Sequence, residues 1–136
     1  MKYKIVSDSA SNIHTIEDIP FSYAPLHIIV GDRDFSDDDS LDLAQMDEAL
    51  SSGSKSGTAC PGIGDWLEAF GMAEVVFCVT ITSGLSGSCD AARAAKALYE
   101  EQYPQRRVHV IDSLSAGPEM ALLIEKLREL ICSGAN

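Results

Sequence analysis

Hydroxyl and carboxyl groups gather in four short stretches of the chain: VSDSAS (6–11), KSGTACPG (55–62), TSGLSGS (82–88) and IDSLSAG (111–117). Side chains of this kind can do two things in a turn. They cap helices, whose first N–H groups have no intrahelical partner. The same free N–H groups, with hydroxyls beside them, can also hold an anion. Capping accounts for any one of these stretches taken alone. It does not require four of them, three at the ends of expected strands and one just before a helix. On the residues alone both readings stand.

Other chemistries find little support. SGLSG contains Gly84-Leu85-Ser86-Gly87 but no G-x-S-x-G nucleophile elbow. His14, His27 and His109 are scattered, and none is placed in sequence to activate Ser86. His109 alternates with Val108 and Val110 and reads as a structural strand residue. The chain has neither G-x-x-x-x-G-K-[ST] nor G-x-G-x-x-G, which argues against a self-sufficient kinase or dehydrogenase. The acidic stretch DRDFSDDDSLD (32–42) fails as a calcium loop. Counting from Asp32, Asp37 and Leu43 stand where Gly and Glu are needed, so a solvated turn is expected and no metal site. Cys60, Cys78, Cys89 and Cys132 form no C-x-x-C pair and are expected to be free thiols, with Cys78 and Cys89 buried.

Acidic residues number 21 against 10 basic ones, a formal net charge of −11. That balance argues against a nucleic-acid backbone as partner. The polar amino terminus MKYKIVSDSA is no signal peptide, and no apolar run approaches the roughly 18 residues of a membrane span. A cytoplasmic location is the expectation.

The elements that must position the four stretches follow from periodicity. KYKIVSD (2–8) reads as a strand and 12–18 as a short helix or turn. A β-rich run at 26–30 leads into a Gly31-Asp32 hairpin and a returning strand with Phe35. A helix over 41–51, capped by Asp39 or Ser40, aligns Leu43, Met46 and Leu50. Pro61 opens a second helix to about 72, with Ile63, Trp66 or Leu67, and Phe70 on one stripe. AEVVFCVTIT (73–82) is nearly all apolar, as a strand covered on both faces requires. An alanine-rich helix over about 86–102, a strand at 106–113 and a helix at 117–130 complete the order. Strands alternating with helices imply an α/β fold, a mainly parallel β-sheet flanked by helices in a layered sandwich.

Five segments in order carry a resemblance: IVSDSAS, APLHIIVGDRDFSDD, SGTACPGIGDWLEAF, ITSGLSGSCDAARAA and VHVIDSLSAG, over about residues 4–130. With them the chain resembles the amino-terminal domain of the DegV family, bacterial fatty-acid-binding proteins. The resemblance implies a lipid carrier rather than an enzyme. A fatty acid would lie in an apolar tunnel with its carboxylate on Ser/Thr hydroxyls, no cofactor being needed. A separate ATP-binding fatty-acid kinase subunit would receive it. Thr58 and Pro61 match the ends of the family's Thr-Ser-Gln-Pro turn, and Ser83 and Ser86 match its Ser-x-Leu-Ser-Gly turn. The resemblance thus makes Thr58 and Ser86, with Ser83, the expected carboxylate donors. Gly84 and Gly87 are expected to allow close backbone approach and unusual φ/ψ angles. Asp8 and Ser9, at the first-strand ending, are expected to shape the site. Ala59 and Cys60 depart from the pattern and remove two polar groups.

Full-length family members carry a carboxy-terminal domain that closes the tunnel. The 136 residues are expected to be a single domain without it, one that pairs as a homodimer to cover apolar surface. Two alternatives remain: an interaction or structural domain that has lost lipid binding, and an enzyme acting on a small phosphorylated or carboxylated metabolite.

Overall fold

The computed structural model describes residues 3–11, 13, 15, 16, 18–38, 41–53, 55–81, 87–114 and 117–133. The chain runs β1 (Tyr3–Asp8), a 3₁₀ turn (Ser9–Ser11), β2 (Phe21–Ala24), β3 (His27–Val30), β4 (Arg33–Ser36), α1 (Leu43–Ser51) and β5 (Ser56–Ala59). It continues through α2 (Ile63–Phe70), β6 (Val75–Thr80), α3 (Ser88–Gln102), β7 (Arg107–Asp112) and α4 (Pro118–Cys132). Four strands form a parallel sheet in the order β2-β1-β6-β7. A separate antiparallel sheet has the order β4-β3-β5.

The central strands of the larger sheet are apolar on both faces because both faces are covered. Val6, Val76 and Cys78 pack with Trp66 and Phe70 of α2 and with Ala92, Ala95 and Tyr99 of α3. Ile5 and Val79 point the other way, to Met120 and Ile124 of α4. Burying each large apolar side chain stabilises the fold by about 1.5–3 kcal/mol. The small side chains of Ala92 and Ala95, both fully buried, let α3 lie close to the sheet. Glu100 ties α3 to β7 by accepting from the Val108 N–H (2.9 Å) and from Lys96 (2.7 Å). The buried Tyr99 hydroxyl donates to the Ala73 carbonyl at 2.8 Å and lies 3.2 Å from that of Gly71. Tyr99→Phe is therefore expected to cost about 1 kcal/mol, read as a lower urea midpoint.

The layered α/β architecture and helices α2–α4 fall where the periodicity puts them. The hairpin does too, with φ of 63° at Gly31 supplying the left-handed position that a two-residue loop needs. Two strands were not anticipated. β5 is built from SGTA, residues of low β-propensity, and exists because β3 offers it a partner edge. β2 is a half-buried edge strand whose alternation is too short to register. The cap of α1 is Asp42, accepting from the Gln45 N–H at 3.1 Å; Asp39 and Ser40 lie outside the described residues. The stripe on α1 is not buried: Leu43 is 62% exposed and Leu50 41%, and Ala49 alone in this helix is buried. Of the stretch 12–18, the described residues 13, 15, 16 and 18 carry no helix.

Candidate functional site at the strand carboxyl ends

β1, β6 and β7 run parallel as neighbours, so their carboxyl ends meet at one edge of the sheet. The Ser113 N–H donates to the Thr80 carbonyl at 3.1 Å and joins the ends of β7 and β6. Asp8, fully buried at the end of β1, is the centre of this edge. Its Oδ2 accepts from the Ile81 N–H and from the Ser88 hydroxyl, both at 2.8 Å. Its Oδ1 accepts from the Ala10 N–H at 3.2 Å. One carboxylate thus joins the end of β6 to the start of α3. Burial raises the Asp8 pKa above its ordinary value, outweighing these three hydrogen bonds, which lower it.

Ser9 extends the connection sideways. Its hydroxyl accepts from the Leu26 N–H at 2.9 Å and fixes the chain just before β3. β3 in turn carries β5, with Ile28 opposite Thr58 and His27 opposite Ala59. The turn after β5 reaches the start of α3, where a Cβ built on Gly87 would lie 3.5 Å from the Cys60 Sγ. Described residues of all four hydroxyl-rich stretches are therefore linked at this edge. Thr58 is exposed there, while Asp8 and Ser9 are buried supports beneath it. Ser83, Gly84 and Ser86 lie outside the described residues. Gly87 has φ −79° and ψ 7°, and so does not use the unusual angles open to glycine. It opens α3 without a capping side chain.

Some participants carry no signal in the sequence. Ser7 and Ser11 pair through their hydroxyls at 2.9 Å beneath the first turn. His27 lies between two carboxylates, with Nδ1 2.9 Å from Asp34 Oδ1 and Nε2 3.1 Å from Asp65 Oδ2. Their sequence separations of 7 and 38 residues match no motif, and only the fold brings them together. A cleft of about 390 Å³ beside α2 is lined by Asp38, Asp65 and Glu68 and repels an anion. His109 is exposed and stacks on Phe77, centroids 5.3 Å apart. Cys78 and Cys89 are buried free thiols, and burial first, then the Asp8 charge, pushes the Cys78 thiol well up, so it is unreactive. Among the described residues no His/Cys/Asp/Glu group could hold a metal, and no helix is long and apolar enough to cross a membrane.

Comparison with known proteins places this arrangement. The profile of a family described as "Uncharacterised protein, DegV family" matches residues 2–136. A DegV domain-containing protein of Streptococcus gordonii is 46% identical over 143 residues, covering 100% of this chain and 50% of that protein. A crystal structure of a DegV family protein from Eubacterium eligens, loaded with heptadecanoic acid, superposes with a TM-score of 0.92 at 43% identity. The superposition covers 98% of this chain and 49% of that one. The Streptococcus pneumoniae Fatty Acid Kinase (Fak) B3 protein, loaded with linoleic acid, gives 0.91 at 44% identity over 100% of this chain and 50% of its own. The chain spans about half the length of the curated relatives it matches. With a matching fold and a family profile over nearly its whole length, this chain belongs to the DegV family.

Proposed function

We propose that this chain is the amino-terminal α/β domain of a fatty-acid carrier and holds a long-chain fatty acid by its carboxylate at the strand-end edge. The observation that carries this reading is that Asp8 and Cys60, from two of the hydroxyl-rich stretches, meet the start of α3, a 15-residue helix opened by Gly87. Backbone N–H groups at such a helix start favour a carboxylate. Thr58 is the proposed donor among the described residues, with Ser83 and Ser86 proposed from the segment that Ile81 and Ser88, both bound to Asp8, flank in the chain. Leu114, 78% exposed at φ 56°, holds an apolar side chain out at the same edge, as an acyl chain requires. Two structures 43% and 44% identical to it hold heptadecanoic and linoleic acid, which supports a ligand of that class.

The role is carriage, with the carboxylate presented to a separate ATP-binding kinase subunit. Exposed Leu114 and Leu122 (72%) favour pairing of this domain with a second copy.

The direct experiment is solvent extraction of the purified, denatured chain followed by mass spectrometry for fatty acids, against a mock purification. Near-stoichiometric fatty acid is expected from the wild type. Thr58→Ala combined with Ser86→Ala is expected to lower oleate affinity at least about tenfold with the melting temperature unchanged. Equal lipid retention by a folded double variant defeats the hydroxyl assignment.

A further inference from the structure

We propose that His27 is a positioning residue that holds the Thr58-to-Gly62 turn in place when its imidazole is doubly protonated and loosens it when it is not. The inference rests on the lipid reading only for what the turn binds; the clamp itself rests on geometry.

His27 grips this turn at two points. Its backbone lies opposite Ala59 in the β3–β5 ladder. Its Nε2 reaches Asp65 Oδ2 at 3.1 Å, and that same oxygen accepts the Gly62 N–H at 2.9 Å. Asp65 is thus held by the ring while it holds the residue that opens α2. On the other side Nδ1 meets Asp34 Oδ1 at 2.9 Å, with the Ser36 hydroxyl at 3.5 Å.

Two carboxylates need two N–H donors, and a neutral imidazole has one. Only the imidazolium satisfies both. Once the ring loses a proton, one nitrogen turns a lone pair toward a carboxylate, and that contact becomes repulsive. The groups around the ring share one sign. Asp34 comes from β4 and Asp65 from α2, and Asp38 and Glu68 line the cleft beside Asp65. The nearby Arg33 guanidinium lies over the Phe35 ring at 5.0 Å and 3.5 Å from Gln45. Burial lowers the His27 pKa, and the hydrogen bonds and charges of Asp65 and Asp34 outweigh it, so the net direction is upward. A folded-state pKa raised above 6.5 means the clamp is fully present below that pH and is lost as pH rises through the higher folded value. Asp34 is 60% exposed, so solvent screens its share and the effect is moderate.

The test uses the 136-residue chain, its His27→Gln and Asp65→Asn variants, and oleate as probe. In the wild type the Gly62 amide resonance is expected to titrate together with the His27 ring, at a midpoint above 6.5. Oleate affinity is expected to fall about three- to tenfold across the same window, measured relative to His27→Gln at each pH so that changes in oleate itself cancel. In both variants the Gly62 response should vanish, with affinity at the wild type's high-pH level. A Gly62 amide indifferent to the His27 titration overturns the clamp. A Gly62 amide that follows His27 while oleate affinity stays flat overturns its reach to the site. If oleate does not bind at any pH, the lipid reading fails, and the clamp is judged on the Gly62 and Thr58 amides alone.

Discussion

Asp8→Ala is expected to destabilise the fold by about 3 kcal/mol or more and, on the proposed function, to abolish fatty-acid retention, because it removes the acceptor shared by the Ile81 and Ala10 N–H groups and the Ser88 hydroxyl. A donor left unpaired in the interior costs about 1–3 kcal/mol, and Asp8 is fully buried in the wild type. Ile81 and Ser88, which flank 82–86 in the chain, lose their shared acceptor, so loss of lipid should accompany loss of stability. Asp8→Asn keeps an acceptor oxygen and should be milder. The comparison has a defined pH dependence. The folded state holds the Asp8 proton more tightly than the unfolded chain, whose carboxyl titrates near 3.8. The wild type therefore gains stability relative to Asp8→Asn in acid and loses it as pH rises through 3.8 to the higher folded value. Urea melts of both proteins from about pH 3.5 to 8 measure this difference directly. A gap that widens in favour of the wild type with rising pH contradicts the burial argument.

Trp66→Ala carries the other large effect, about 3–5 kcal/mol. Trp66 is fully buried between α2 and the sheet, its ring 6.4 Å from Phe70, which lies 5.3 Å from Tyr99. Deleting the indole opens a void that two neighbouring rings cannot close without leaving their own contacts. Trp66→Phe should cost far less, about 1 kcal/mol, because the indole Nε1 has no hydrogen-bond partner among the described residues. Chemical denaturation of the pair separates volume from hydrogen bonding. A Phe variant as unstable as the Ala variant would mean that a buried water serves the indole N–H.

How far the sequence speaks for the fold depends on whether an element carries its own reason to form. β6 and α3 do: the one is an unbroken apolar run, and the other repeats Cys89, Ala92, Ala95 and Tyr99 at helical spacing, all buried. β5 does not, since Ser56, Gly57, Thr58 and Ala59 extend only because β3 lies beside them. α1 shows the reverse failure, a regular stripe whose Leu43 and Leu50 stay exposed because periodicity states a preference and not a partner. The site divides in the same way. Hydroxyl-rich stretches at strand ends are visible in the residues, and it takes the parallel pairing of β1, β6 and β7 together with the β3–β5 ladder to link their described residues. The His27–Asp65–Gly62 chain is invisible, because nothing in a 38-residue separation announces a shared proton.

The staple at Asp8 has a consequence for how this chain comes off the ribosome. Two of its hydrogen bonds reach 73 and 80 residues ahead. At the usual 5–20 residues per second, Asp8 waits about 4–16 s after synthesis before Ile81 and Ser88 exist. For that interval Ile5 and Val6, destined for opposite faces of the finished sheet, have neither strand β6 nor helices α3 and α4 to cover them. The nascent segment is a β-prone strand with a carboxylate at its end. The charge that later locks the fold thus keeps a half-covered strand in water while it waits.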